Sequence, residues 1–115
     1  IDMGMDVYGE NEDQYFQSSV WNWRPLWEYI CTFCINEEGD PLITPAEKAE
    51  GGLNDGLFIE KKRAQQIGVT LSVLIISGHT RQAEYAWGDK TYNFNTEKVE
   101  NFASFASKSG GFSIY

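Results

Sequence analysis

The chain has 115 residues, 42% hydrophobic and 15% aromatic, enough apolar surface to offset the ordering entropy of one domain, which excludes a disordered chain. Nine basic residues against 17 acidic ones leave a formal net charge of -8; that field repels nucleic-acid phosphates and anionic lipid, so direct nucleic-acid binding and membrane association are disfavoured. The longest apolar run, Ile67 to Ile76, is broken by Gly68, Thr70 and Ser72 and is about half the ~20 residues that a membrane-spanning helix needs. The expectation is a single globular domain over residues 1–115, cytoplasmic because the acidic N-terminal stretch lacks the cations and apolar core of a secretion signal. Ile1 and Asp2 read as additions ahead of a Met3-Gly4 start.

From Met3 to Tyr8, the residues Met3, Met5 and Val7 alternate with Gly4, Asp6 and Tyr8, the period of a strand with one buried face. Gly9 and the run Glu10-Asn11-Glu12-Asp13 make a polar turn, which lacks the spaced ligands and central glycine of a calcium loop. Between Trp21 and Cys34, the residues Trp23, Leu26, Trp27, Ile30, Phe33 and Cys34 recur three or four apart, which predicts a helix with Pro25 in its first turn. Asn36 to Asp40 forms a loop. Thr44-Pro45-Ala46-Glu47 spells a capping box with proline at the first helical position, and Gly51-Gly52 stops that helix after about two turns. Asn54-Asp55-Gly56 predicts a sharp turn, since these residues tolerate positive φ.

Phe58 to Ser77 is ambiguous. Ala64, Ile67, Leu71 and Ile75 sit at helical spacing, whereas Val69 to Ile76 is rich in β-branched residues. One long helix is favoured, with Gly68 as a tolerated weak point and Gly78 as its C-terminal stop. A short helix from Arg81 to Trp87, capped by Thr80, follows. Thr91 to Phe94 predicts a strand, and Asn95 or Thr96 caps a helix whose apolar stripe is Val99, Phe102, Ala103 and Ala106, ended by Gly110-Gly111. Phe112 to Tyr115 closes the chain as a strand. The sum is an α+β domain with a small antiparallel or mixed sheet formed by the N-terminal, Thr91-region and C-terminal strands, packed against about four helices.

Chemistry-bearing residues are few. Cys31 and Cys34 form a lone Cys-x-x-Cys; a zinc site needs about four ligands, and only His79 and carboxylates remain to complete it, while a redox dithiol belongs at a helix N-terminus and this pair lies near a C-terminus. Two buried core cysteines are the simpler reading. His79, the single histidine, reads as a loop residue near a helix C-terminus, with Ser77 too close in sequence to face it as a nucleophile. No catalytic group, cofactor or metal is assigned. Lys61-Lys62-Arg63 reads as a solvated face, because consecutive residues fan out around a helix. Seven aromatics crowd the segment from Tyr15 to Phe33, more than one helix face hides, so Trp21 and Tyr29 are expected to project off the core stripe, with Arg24 beside them to pair a carboxylate or phosphate.

Met3-Gly4-Met5-Asp6-Val7-Tyr8-Gly9, Tyr15-Phe16, Val20-Trp21-Asn22-Trp23-Arg24-Pro25-Leu26, Asn54-Asp55-Gly56, Asn101-Phe102-Ala103 and Gly110-Gly111-Phe112 together resemble a group of uncharacterised proteins of bacteriophages and their bacterial hosts. The resemblance implies a phage or prophage setting and no particular activity. Some similar sequences carry an inserted cysteine-rich, zinc-knuckle-like loop, which this chain lacks.

Three functions remain open. The first is a non-enzymatic interaction protein that binds a host or phage protein, as an inhibitor of nucleic-acid-handling or defence machinery, through Glu10, Glu12, Asp13, Glu37, Glu38 and Asp40. The second is a small-molecule, nucleotide-like site built from Trp21, Arg24, Asn54 and Asp55. The third is an enzyme with His79 beside a carboxylate in a cleft.

Overall fold

A computed structural model of the protein describes residues 4–87 and 93–115. The N-terminal alternation becomes strand β1 (Gly4–Gly9), which turns at the acidic segment and pairs antiparallel with β2 (Tyr15–Ser19), setting Val7 opposite Phe16 and Tyr8 opposite Tyr15. The C-terminal strand β4 (Gly111–Ile114) lies antiparallel to β1 on its other side and also pairs with β3 (Leu57–Glu60). The sheet order is therefore β2-β1-β4-β3, and the two ends of the chain meet at its centre.

Among the described residues, five helices complete the α+β fold: α1 (Val20–Phe33), α2 (Pro45–Gly51), α3 (Lys61–Ile76), α4 (His79–Ala86) and α5 (Thr96–Lys108). The side chains of Met5, Val7, Phe16, Leu57, Ile59, Phe112 and Ile114 point from one sheet face into the core, where they meet Trp23, Ile30, Ile67, Leu71, Val99 and Phe102. Edge-to-face rings knit the layers: Phe102 contacts Phe16 at 5.1 Å and Phe112 at 5.5 Å between centroids. Helix α5 carries the expected stripe of Val99, Phe102, Ala103 and Ala106, all buried, and Asn95 accepts a hydrogen bond from the Lys98 amide as its cap. The capping box of α2 is complete, with the Glu47 amide donating to Thr44 Oγ1 and the Thr44 amide donating to the Glu47 carboxylate.

Several expectations are corrected. Phe58 to Glu60 is not the start of the long helix but strand β3; helix begins at Lys61, with no side-chain cap to mark the break. Tyr15 to Ser19, given no strand in the sequence reading, is an edge strand. The helix of the tryptophan segment starts at Val20 under a Ser19 cap, so Pro25 lies inside it rather than in its first turn. Thr80 is not a cap: Gly78, at φ 85, precedes α4, and Thr80 is buried within it. Of the strand expected at Thr91 to Phe94, Thr91 and Tyr92 lie outside the described residues, and Asn93 and Phe94 adopt no strand; the strand that the middle of the chain adds to the sheet is β3, at its edge. Gly68 is a contact rather than a weak point, because a Cβ there would stand 2.1 Å from Ser107 Oγ and 3.1 Å from the Ala103 carbonyl of α5. Arg63 is no solvated cation: its guanidinium forks onto Glu47 at 2.7 and 2.8 Å and also meets the Leu42 carbonyl, tying α2 to the start of α3.

Candidate functional site

Strand alternation puts one face of the sheet in the core and leaves the other to whatever lies outside it. On that outer face, Tyr8, Tyr15, Phe58 and Tyr115 are each between 46% and 51% exposed. The register aligns them. Tyr15, Tyr8, Ser113 and Phe58 form one row across β2, β1, β4 and β3, and Gln17, Asp6 and Tyr115 form the next, with Asp6 and Tyr115 exchanging backbone bonds of 2.8 and 2.7 Å. The rings touch one another, Tyr8 lying 5.2 Å from Tyr15 and 6.0 Å from Tyr115 between centroids. The Tyr15 hydroxyl donates to the Asp6 carboxylate, fixing both side chains on the surface.

The β1–β2 turn follows this row directly. It holds Glu10, Glu12 and Asp13, all exposed, and is pinned by the Glu10 amide on the Gly111 carbonyl and the Asn11 amide on the Ser109 carbonyl, 2.8 Å each. Glu60 projects from β3 on the same face and pairs with Arg63. The outward strand positions, Asp6, Tyr8, Tyr15, Gln17, Ser19, Phe58, Glu60, Ser113 and Tyr115, include carboxylates and no cation. Such a surface offers π faces and negative charge together, the complement of a surface rich in Arg and Lys.

The other expected acids, Glu37, Glu38 and Asp40, are exposed on a separate loop between α1 and α2, held rigid by Asn36 Oδ1 accepting from the Glu38 and Asp40 amides at 2.9 Å. The nearest groove there contains Glu37 but also Lys62. The structure thus puts Glu10, Glu12 and Asp13 in the turn that follows the tyrosine row and the second trio on another loop.

The four residues of the expected small-molecule site do not converge. Arg24 lines a groove of about 420 Å³ between α1 and α2 with Trp23, Trp27, Lys48 and Gly52, but Trp21, Asn54 and Asp55 are not among its walls. Trp21 is exposed, as expected, and Asn54 Nδ2 donates to the Gly4 carbonyl at 3.0 Å, a structural bond that ties the β3 approach to the first strand. Tyr29 does not project outward. It is buried, burial pushes its phenol up to about 12, and its hydroxyl shares a hydrogen bond of 2.6 Å with His79 Nδ1. His79 opens α4 with Phe33 packed on its ring at 4.5 Å, and its hydrogen-bond partner is a phenol rather than a carboxylate. Cys31 and Cys34 are free and buried, and burial pushes both thiols up to about 12, away from nucleophilic thiolate chemistry. Among the described residues, no three His, Cys, Asp or Glu side chains gather as a metal site, and no helix is long and apolar enough to cross a membrane.

Comparison of the chain with protein-family models, curated proteins and solved structures finds no match to any of them. Function therefore rests on the geometry. Sequence reasoning missed Tyr8, Phe58 and Tyr115 as surface residues, although the alternation around Met5 and Val7 already put Tyr8 on the face opposite the core.

Proposed function

We propose that the chain is a non-enzymatic interaction protein that docks a basic protein surface on the outer face of its sheet, in the phage or prophage setting that the sequence resemblance implies. The observation that carries the reading is the uncovered row of Tyr15, Tyr8 and Phe58 with Tyr115 beside it, bordered by Asp6, Glu10, Glu12 and Asp13. Tyrosine gives large contact area at low conformational cost, and its rings accept Arg and Lys through cation–π contact. Rings beside carboxylates also imitate the bases and phosphates of a single nucleic-acid strand, so the partner class is a protein whose own ligand is nucleic acid, and occupancy inhibits it. Glu37, Glu38 and Asp40 add to the long-range field that steers the encounter.

The test is capture of such a partner from host cells with the wild-type chain and with a Tyr8→Ser/Tyr115→Ser variant whose thermal melt is unchanged. Expected are a basic, nucleic-acid-binding protein held by the wild type, release by salt or by competing single-stranded nucleic acid, and loss of capture in the variant. Equal capture by both chains, or a partner indifferent to salt, refutes the reading. A second reading, a small anionic ligand at Arg24, rests on that groove, where the ligand would displace Glu28 from Lys48, its partner at 2.8 Å; thermal stabilisation by a nucleotide, lost on Arg24→Ala, would support it.

A further inference from the structure

Helix α3 presents a stripe that nothing among the described residues covers. Val69, Val73 and Ile76, at helical spacing, are 63%, 59% and 86% exposed, and from Ala64 to Ile76 the helix contains no charged residue. Ile35 widens the stripe by lining a groove with Val69, Gln65, Gln66 and Lys62, with Glu37 at its edge. In a chain of net charge -8 this is the wrong place for solvent-facing aliphatics unless something of matching chemistry seats on them.

The ends of the stripe decide what that is. Its N-terminal end carries Lys62, exposed in the first turn. At its C-terminal end, Glu100 of α5 lines a cleft with Ile76, Ile75 and Ser72. Lys62 at one end and Glu100 at the other come together when the stripe is turned end for end on a second copy, with the uncharged segment between them. We infer that the α3 stripe is the interface of a homodimer, in which α3 packs antiparallel against α3 of a second copy about a two-fold axis near Val69. Lys62 and Ile76 are 14 positions apart, about 21 Å along the helix, so the two-fold places Lys62 of each copy over Ile76 of the other, with its stem on the isoleucine and its ammonium at Glu100. Two acidic copies repel each other, and this contact offsets that repulsion because its centre is free of charge and Lys62 meets Glu100 at each end.

Sedimentation velocity across a concentration range reaching hundreds of micromolar tests the inference. The wild type is expected to approach twice the 13.1 kDa mass of one chain, and Val73→Asp is expected to remain monomeric with an unchanged melting temperature, since Val73 is already exposed in the single copy. Lys62→Glu is expected to weaken dimerisation about tenfold by setting like charges against each other at two symmetry-related places, and adding Glu100→Lys is expected to restore it. A wild type that stays monomeric throughout, a Val73→Asp chain that dimerises normally, or a charge swap that fails to restore association each overturns it. None of these outcomes depends on the tyrosine face.

Discussion

Replacing Gly51 by alanine sets two effects of opposite sign against each other. As the last residue of α2, Gly51 weakens the helix, and alanine there would stabilise it by up to about 1 kcal/mol on propensity alone. The structure opposes this, because a Cβ at Gly51 would stand 2.3 Å from Cζ2 and 2.5 Å from Cε2 of Trp27, where carbon atoms ordinarily rest about 3.5–4.0 Å apart. The indole cannot retreat freely. Its Nε1 donates to the Lys48 carbonyl at 2.9 Å, and its ring stacks on the fully buried Trp23 at 5.4 Å, while Trp23 itself donates to the Gly51 carbonyl at 3.0 Å. Overpacking of this kind costs about 1–3 kcal/mol, and loss of the indole bond adds about 1 kcal/mol. After the propensity gain, the net is a destabilisation of about 1–3 kcal/mol, or roughly 4–12 °C in Tm for a chain of this length. Urea unfolding followed by tryptophan fluorescence measures it directly, with a red shift of native emission if Trp27 is displaced. Gly52→Ala is the control, since its Cβ would meet only the Ala49 carbonyl at an ordinary 3.6 Å. Should Gly51→Ala match or exceed the stability of Gly52→Ala, the packing argument around the two tryptophans is wrong.

Other consequences are as direct. The Arg63 guanidinium holds the Glu47 carboxyl down at about 2 against an ordinary 4.5, so its stabilisation is present above pH 4.5 and lost as pH falls from there towards 2; Glu47→Gln, which keeps the cap, should cost on the order of 2 kcal/mol at neutral pH and flatten that part of the acid-unfolding curve. With Cys31 and Cys34 pushed up to about 12 from an ordinary 9.0, iodoacetamide should label native protein no faster than it unfolds, and stability should decline as pH rises through 9 towards 12; prompt labelling would show the thiols to be accessible. Because the Tyr29 hydroxyl and His79 Nδ1 share a hydrogen bond, Tyr29→Phe should shift the His79 ¹⁵N resonances; identical resonances in the two chains contradict the bond.

What could be read from residue order was what local chemistry decides. Thr44, Pro45 and Glu47 specify the start of α2 through bonds made within four residues, and the α5 stripe follows from its own spacing. What escaped was decided at a distance. Strand β2 exists because β1 offers it a ladder, and nothing in Tyr15 to Ser19 signals this beyond two aromatics. Strand β3 merged into the following helix because Glu60 gives no side-chain cap and Lys61 to Arg63 are strong helix formers. Gly68 looked like a cost because its value lies in Ser107 and Ala103, some forty residues away. The same holds for the candidate site: alternation assigns Tyr8 and Tyr115 to the face away from the core, but only the assembled fold leaves that face without a second layer among the described residues.

The two proposed surfaces bear on each other through their placement. Ala64, Ile67, Gly68 and Leu71 turn α3 towards the core on the covered side of the sheet, and its exposed stripe faces away from them. Pairing through that stripe therefore leaves both tyrosine faces uncovered, one on each copy. A dimer of this form is bivalent, and once one face has engaged a partner that is itself dimeric or immobilised, the second binds at an effective concentration set by their spacing rather than by bulk solution. Val73→Asp should then bind such a partner with the same single-site affinity but leave it at least about tenfold faster, whereas Tyr8→Ser should lower the affinity of monomer and dimer alike. Surface plasmon resonance at low and high partner density separates the two effects. Identical dissociation of wild type and Val73→Asp at high density would mean that the faces act independently, whatever the state of the dimer.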